Sequence, residues 1–304
     1  MRTRKIGKSN LFVSELTLGT MSIGTDKTKG IKIINHAIDK GINHIDTADL
    51  YDFGINEQIV GEAIKGKREK IILTTKVGNH FNKELKDWYW DPSKNYIKTA
   101  VQNSLKRLKT DYIDLYLLHG GTIEDPIDET IEAFEELKQA GYIRAYGISS
   151  IRPNVIREYV KRSSIDAVMT QYNLLDRRPE EEILDLLYEN NISVLARGPL
   201  AKGILSKDAI RKIEKKAKNG YLEYKQSELI SIYNKFRSIT PKGKSLNTIA
   251  QQYVLKHPAV ASSVFGASSI AQVDENIDNV EIISDNLYDK LKEITRPIIY
   301  QQHR

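Results

Sequence analysis

The chain has 304 residues, 40% apolar and 28% charged, which is the balance of a globular protein able to bury a sizeable core. It contains no cysteine, which excludes disulfides, thiolate metal sites and a cysteine nucleophile and suits a reducing cytoplasm. No apolar run approaches the ~20 residues of a membrane span. The opening MRTRKIGKSN lacks a signal-peptide core, and the net charge of +6 is spread as solvated surface, so neither nucleic acid nor membrane is expected as a partner.

Gly7-Lys8-Ser9-Asn10 lies between two short extended pieces and predicts an opening hairpin, followed by a first strand over 15–20. Ile31, Ile34 and Ile38 recur at helical spacing, and Gly41 supplies the stop. A strand over 43–48, a helix over 56–65 and a strand over 71–77 follow, and then a loop holding Trp88, Tyr89 and Trp90. Ile97, Val101, Leu105 and Leu108 mark the next helical face, before a strand over 112–119. Ile127, Ile131, Phe134 and Leu137 mark another, capped by Gly141.

The alternation continues with strands over 143–149 and 167–172 and helices over 154–161 and 180–189. The seventh and eighth strands fall over 192–196 and 262–265, with an insertion at about 206–244 between them. Eight strand–helix units without a break in composition predict an α/β fold, one (β/α)8 TIM barrel spanning 1–304, with an N-terminal β-hairpin and a C-terminal extra helix.

Catalytic groups of such a barrel lie on loops at the carboxyl ends of its strands. HIDTADLY places Asp46 at a strand end and Tyr51 just past it, IILTTKVG does the same with Lys76, and YIDLYLLHGG with His119. Ser149, Ser150, Gln171, Arg197 and Gly266 are expected on the same rim. A carboxylate and a phenol are poor core residues unless they find polar partners. A free phenol titrates near about 10, and an ammonium beside it favours the phenolate. Asp46 can supply the counter-charge for Lys76, and a neutral His119 can donate to the same oxygen. These groups suit reduction of a carbonyl, and since none of them delivers a hydride a nicotinamide cofactor is implied.

HIDTADLYDFG, NEQIVGEAI, TTKVG, SLKRLKTDYIDLYLLH, GYIRAYGISS, QYNLL, GPLAKGILS and VFGASSIAQVDENI, in this order from Arg2 to Asn276, closely resemble the aldo-keto reductases. The resemblance implies NADPH-dependent reduction of an aldehyde or ketone, with Asp46, Tyr51, Lys76 and His119 as a catalytic tetrad and Tyr51 as proton donor. It also implies a cofactor extended across the rim. Gly19, Thr20 and Met21 would border the nicotinamide ribose, with Asp46 beside them. Ser149, Ser150 and Gln171 would meet the carboxamide. Gly198, Pro199, Leu200 and Ala201 would run under the pyrophosphate, and Gly266, Ser268, Gln272, Glu275 and Asn276 would hold the adenosine end, where a helix amino terminus favours phosphate.

Two positions depart from the family pattern. Ser149-Ser150 replaces a frequent Ser-Asn, and Arg197 stands where an aromatic residue usually stacks on the nicotinamide. A guanidinium there is expected either to disfavour the cationic oxidised ring or to turn away toward a phosphate. Ser268 and Gln272 are uncharged, so charge for a 2′-phosphate would have to come from the inserted segment, from Lys207 or the Arg211–Lys218 cluster, and NADP(H) is expected over NAD(H).

Blander readings stand beside these. Asp46 and Lys76 would make a structural ion pair, and Arg211–Lys218 a solvated helix face. His36, His44, His80, His257 and His303 read as surface or core residues, with no metal-ligand spacing. The Trp88–Trp90 stretch either covers a substrate pocket with Phe53 opposite or packs on the rim. Ser245 reads as a helix cap. A cofactor-binding sensor with vestigial turnover, and a lyase or isomerase using Lys76 as a Schiff base, are the competing functions. No residue pattern sets the oligomeric state, and a monomer is compatible with all of it.

Overall fold

The computed structural model describes residues 1–277 and 282–304. Eight parallel strands close into a barrel: β1 (Leu16–Gly19), β2 (His44–Asp46), β3 (Ile72–Val77), β4 (Ile113–Leu118), β5 (Ile143–Ser149), β6 (Ala167–Gln171), β7 (Ser193–Arg197) and β8 (Val260–Gly266). Each pairs with the next in sequence, and β8 closes on β1 with Gly266 opposite Gly19. The helical patterns read from the sequence lie on the buried sides, although Ile31 and Ile38 are only partly buried, at the margin of their face. Ile33, Ile34 and Ala37 of Lys27–Asp39, and Ile97, Val101, Leu105 and Leu108 of Lys94–Leu108, pack on the strands from outside. Both carboxyl-end glycine stops hold, with Gly41 and Gly141 at φ +92° and +82°.

The opening hairpin pairs Thr3–Lys5 with Phe12–Ser14 and covers the amino-terminal end of the barrel. Its Ile6, Leu11 and Val13 meet Leu115, Leu117, Met169 and Leu195 of the barrel interior. Gly7 is obligatory at that turn: φ is +49°, and a Cβ there would fall 2.3 Å from the Asp166 carbonyl oxygen. Inside the barrel, His44 Nδ1 lies 2.7 Å from Thr17 Oγ1 and its Nε2 2.7 Å from Thr74 Oγ1. His44 is thus a satisfied core histidine.

Three expectations need correction. Residues 79–90 form a second hairpin, Asn79–Asn82 paired with Asp87–Trp90, where the sequence suggested a loop. Cross-strand pairs of His80 with Tyr89 and Phe81 with Trp88 favour the extended pairing. The helix expected over 180–189 is broken at Glu182, leaving a 3-10 turn Arg178–Glu181 and a helix Ile183–Glu189. Gly266 and Arg197 close their strands, so β8 and β7 end one residue later than expected.

The segment after β7 folds as helices Ala209–Lys216 and Gln226–Ile239 before Leu246–Leu255 returns to the barrel wall, capped by Ser245, whose Oγ accepts from Thr248 N at 3.1 Å. Among the described residues, two helices follow β8: Ile270–Ile277, and the expected extra helix Asp285–Ile294. No helix among the described residues is long and apolar enough to cross a membrane.

Candidate active site

Asp46 ends β2, Lys76 lies one residue from the end of β3, and His119 immediately follows β4, its N–H donating to Val77 O at 2.7 Å. Adjacent strands therefore bring the three side chains to one sector of the rim. Lys76 is 1% exposed; its ammonium donates to Thr47 O at 2.7 Å and Tyr51 Oη at 3.3 Å and is ion-paired with Asp46 Oδ1 at 2.7 Å. The Tyr51 and His119 rings meet edge to face with centroids 5.9 Å apart. All four residues that the sequence singled out are thus gathered at one place.

Electrostatics sets their protonation. Burial pulls the Lys76 ammonium down, but the Asp46 carboxylate and Tyr51 outweigh it and hold its pKa above the ordinary lysine value. Burial raises the Asp46 carboxyl, with Lys76 acting in opposition. Burial, and then the charges of Lys76 and Arg197, lower His119 to about 3, so its imidazole is neutral across the physiological range.

The turn carrying Tyr51 is strained. Asp52, Phe53 and Gly54 have φ of +49°, +52° and +87°, three left-handed residues in a row of which only the last is glycine. A second such run, Ala201, Lys202 and Gly203 at +46°, +59° and +91°, sits beyond β7. Both runs are on the carboxyl-end rim. The new hairpin borders the site: Phe53 and Phe81 meet at 6.1 Å, while the Trp90 ring lies against Gly78 and Gly120 and its Nε1 donates to Asp125 Oδ1 at 3.0 Å. Trp88, on the same face as Phe81 and Trp90, remains 54% exposed.

The residues expected around a cofactor lie on the same rim. Because β7, β8 and β1 are neighbours, the loops Gly198–Ala201, Gly266–Ser268 and Gly19–Met21 follow one another around it. Met21 is 65% exposed there, and a Cβ on Gly198 would meet nothing nearer than Gln171 Cγ at 3.9 Å. Gly198 thus leaves its backbone open to a group lying across the rim, whereas Gly19 and Gly266 are closely backed by Val264 and Ser22. Ser149 ends β5, Ser150 follows it, and Gln171 and Arg197 face each other at the ends of β6 and β7, with Arg197 Nη1 donating to Gln171 Oε1 at 3.1 Å.

At the opposite end, Gln272 Oε1 accepts from Ser268 N at 2.8 Å, so one amide at that helix start is already engaged. Asn276 is buried, its Nδ2 donating to Gln272 O at 2.7 Å, while Lys207 reaches from the post-β7 segment to pair with Glu275. In helix Ala209–Lys216, Ala209 and Ile213 are buried, and Arg211 pairs with Asp208 at the surface. Among the described residues, no group of three or more His, Asp or Glu side chains is disposed to hold a metal ion.

Several residues of the rim were given no role from the sequence. Asn56 is buried beneath it, accepting from Thr47 Oγ1 at 2.8 Å and donating to Thr20 O at 3.0 Å, which ties the β1 and β2 loops together. Asp176 and Tyr221 accept from Gln171 Nε2, and Arg178 holds Asp176. The Asp-Arg-Arg run after QYNLL was available as a clue to the first two, whereas Tyr221 lies too far along the chain to have been associated.

The Aldo/keto reductase family matches residues 15–296. The chain is 55% identical over its full length, and over the full length of the relative, to the Bacillus subtilis protein named "Uncharacterized oxidoreductase YqkF". It is 32% identical, over 93% of the chain and 94% of the relative, to the "NADH-specific methylglyoxal reductase" of Escherichia coli. Among solved structures, the holo form of aldo-keto reductase AKR11C1 from Bacillus halodurans superposes with a TM-score of 0.94 at 52% identity, covering 100% of this chain and 99% of that one.

Proposed function

Because the chain belongs to the aldo/keto reductase family of nicotinamide-dependent oxidoreductases, we propose that its rim site reduces the carbonyl of an aldehyde or ketone to an alcohol, with NADPH preferred. The convergence of Asp46, Tyr51, Lys76 and His119 carries this reading. A bound nicotinamide supplies the hydride. Tyr51 donates its phenolic proton to the carbonyl oxygen, and the Lys76 ammonium 3.3 Å away stabilises the phenolate left behind. Asp46 keeps that ammonium charged inside a buried site, and the neutral His119 donates a hydrogen bond to the same oxygen. Kept as a charged ammonium by Asp46, Lys76 is not the neutral amine that a Schiff base requires.

Two further features support the finer parts of the proposal. Phe53, Phe81, Trp88 and Trp90 make an aromatic border and favour a carbonyl on an apolar arm. Lys202, Lys212 and Lys216 near the Ala201–Gly203 turn concentrate positive charge where a phosphate-rich cofactor would lie, and Lys207 stands at the adenosine end, where it is paired with Glu275. An NADH-specific relative exists, so the preference for NADPH rests on that charge.

The test is consumption of NADPH and of NADH with a reactive aromatic aldehyde, wild type beside Tyr51→Phe. Turnover with NADPH that drops by roughly 10²–10⁴ in the variant, with NADPH binding kept, is the expected result. Equal slow rates in both proteins would instead identify a cofactor-binding sensor, and faster turnover with NADH would reverse the cofactor preference.

A further inference from the structure

Gln171 is held at both ends of its amide. Its Nε2 donates to Asp176 Oδ2 at 2.7 Å, and its Oε1 accepts from Arg197 Nη1 at 3.1 Å. The Asp176 side chain has no exposed surface, and Arg178 grips it with two bonds, Nε to Oδ1 at 2.7 Å and Nη2 to Oδ2 at 2.8 Å. The Arg178 guanidinium lies 5.0 Å over the Tyr300 ring, so the carboxyl-terminal tail backs this pair.

The local chain explains the placement. Asn173 Oδ1 accepts from the N–H groups of Leu175 and Asp176, both at 2.9 Å, and its Nδ2 donates to Gly198 O at 3.0 Å. The resulting tight turn folds Asp176 back beside Gln171 and ties it to the loop after β7.

An ionised carboxylate only accepts hydrogen bonds, so Gln171 must turn its NH2 group toward Asp176. Its carbonyl oxygen then points the other way. That oxygen has two lone pairs, of which Arg197 occupies one. We infer that Asp176, clamped by Arg178, is a positioning residue that fixes the Gln171 amide with an acceptor free for the NH2 of the cofactor carboxamide. This rests on the proposed placement of the nicotinamide at Gln171. An amide at position 176 would put N–H groups against Arg178 or Gln171, leaving the Gln171 orientation to the Arg197 bond and the longer bond from Nε2 to Tyr221 Oη at 3.3 Å.

The test is a double-mutant cycle over Asp176→Asn and Gln171→Ala, read as affinity for NADPH and for 2′-phospho-ADP-ribose, which is the cofactor without its nicotinamide. Each single variant is expected to weaken NADPH about tenfold, the effect of one charge-supported hydrogen bond, and to leave 2′-phospho-ADP-ribose within about twofold. The double variant is expected to bind NADPH no worse than Gln171→Ala. If Asp176→Asn weakens NADPH by the same factor in the Gln171→Ala background, or weakens both ligands alike, Asp176 acts on the fold and the inference is overturned. An NADPH affinity that Gln171→Ala leaves unchanged would instead refute the nicotinamide placement beneath it. Asp176→Glu keeps the charge for Arg178 but displaces it by one methylene. It serves as second variant, with the same expected pattern, if Asp176→Asn does not fold.

Discussion

Asp46 and Lys76 are buried against each other with 2.7 Å between Oδ1 and Nζ, and the same ammonium reaches the Tyr51 hydroxyl. Removing one member of such a pair strands the other charge out of water. Lys76→Met is expected to lower the unfolding free energy by about 3–5 kcal/mol in urea titrations. Adding Asp46→Asn should restore part of that loss, because no buried charge then remains, while turnover stays absent. A double variant less stable than Lys76→Met would contradict this account.

His44 gives a pH signature that can be isolated. Burial, and then the Lys76 charge, lower its pKa from 6.5 to about 3, so the folded chain refuses a proton that the unfolded chain accepts below about pH 6.5. Its contribution is fully present above that pH and is lost as the pH falls toward 3. The slope is at most about 1.4 kcal/mol per pH unit. In His44→Gln the difference in stability from wild type should therefore shrink between pH 6.5 and pH 4. A constant difference across that range would show that His44 does not titrate on unfolding.

Arg197 brings a fixed positive charge to the proposed nicotinamide end, anchored by Gln171. A cation there penalises the oxidised, positively charged ring relative to the reduced one. Arg197→Tyr should lower the ratio of the Kd for NADP+ to that for NADPH by about tenfold, the size of a charge contact in a partly aqueous site. Unchanged ratios in calorimetry would exclude this role.

Gly78→Ala probes the hairpin. Gly78 has φ of +123°, and a Cβ would fall 2.5 Å from the Trp90 ring. The substitution should cost about 1–3 kcal/mol in stability and displace Trp90. KM for an aromatic aldehyde should rise while NADPH affinity holds. A KM that does not move would place Trp90 outside the substrate path.

What the sequence disclosed, and what it did not, follows from chain distance. Ile31–Ile34–Ile38 and the strand-end Asp46, Lys76 and His119 are local patterns, and the barrel turns strand order into spatial order, so their convergence could be read in advance. The second hairpin was hidden because His80–Tyr89 and Phe81–Trp88 become a pattern only once the strands are paired. Asp176 and Arg178 look like surface charges until the Asn173 turn folds them under Gln171. Lys207 read as a free cation until Glu275, which lies in another element, was found beside it.

Arg4 grips the far end of the chain. Its Nη1 donates to Leu255 O at 2.9 Å and Val260 O at 2.8 Å, and its Nη2 pairs with Glu15 at 2.8 Å. The outer edge of β1 therefore finds its partner strand, and Arg4 its Val260 acceptor, only after β8 has been made. At about 5–20 residues per second, the ribosome leaves that edge uncovered for roughly 10–50 s. An unpaired strand edge invites pairing with other chains. Nascent chains should consequently depend on chaperone cover until the eighth strand emerges, and fragments ending before Gly266 should behave as aggregating species rather than as smaller barrels.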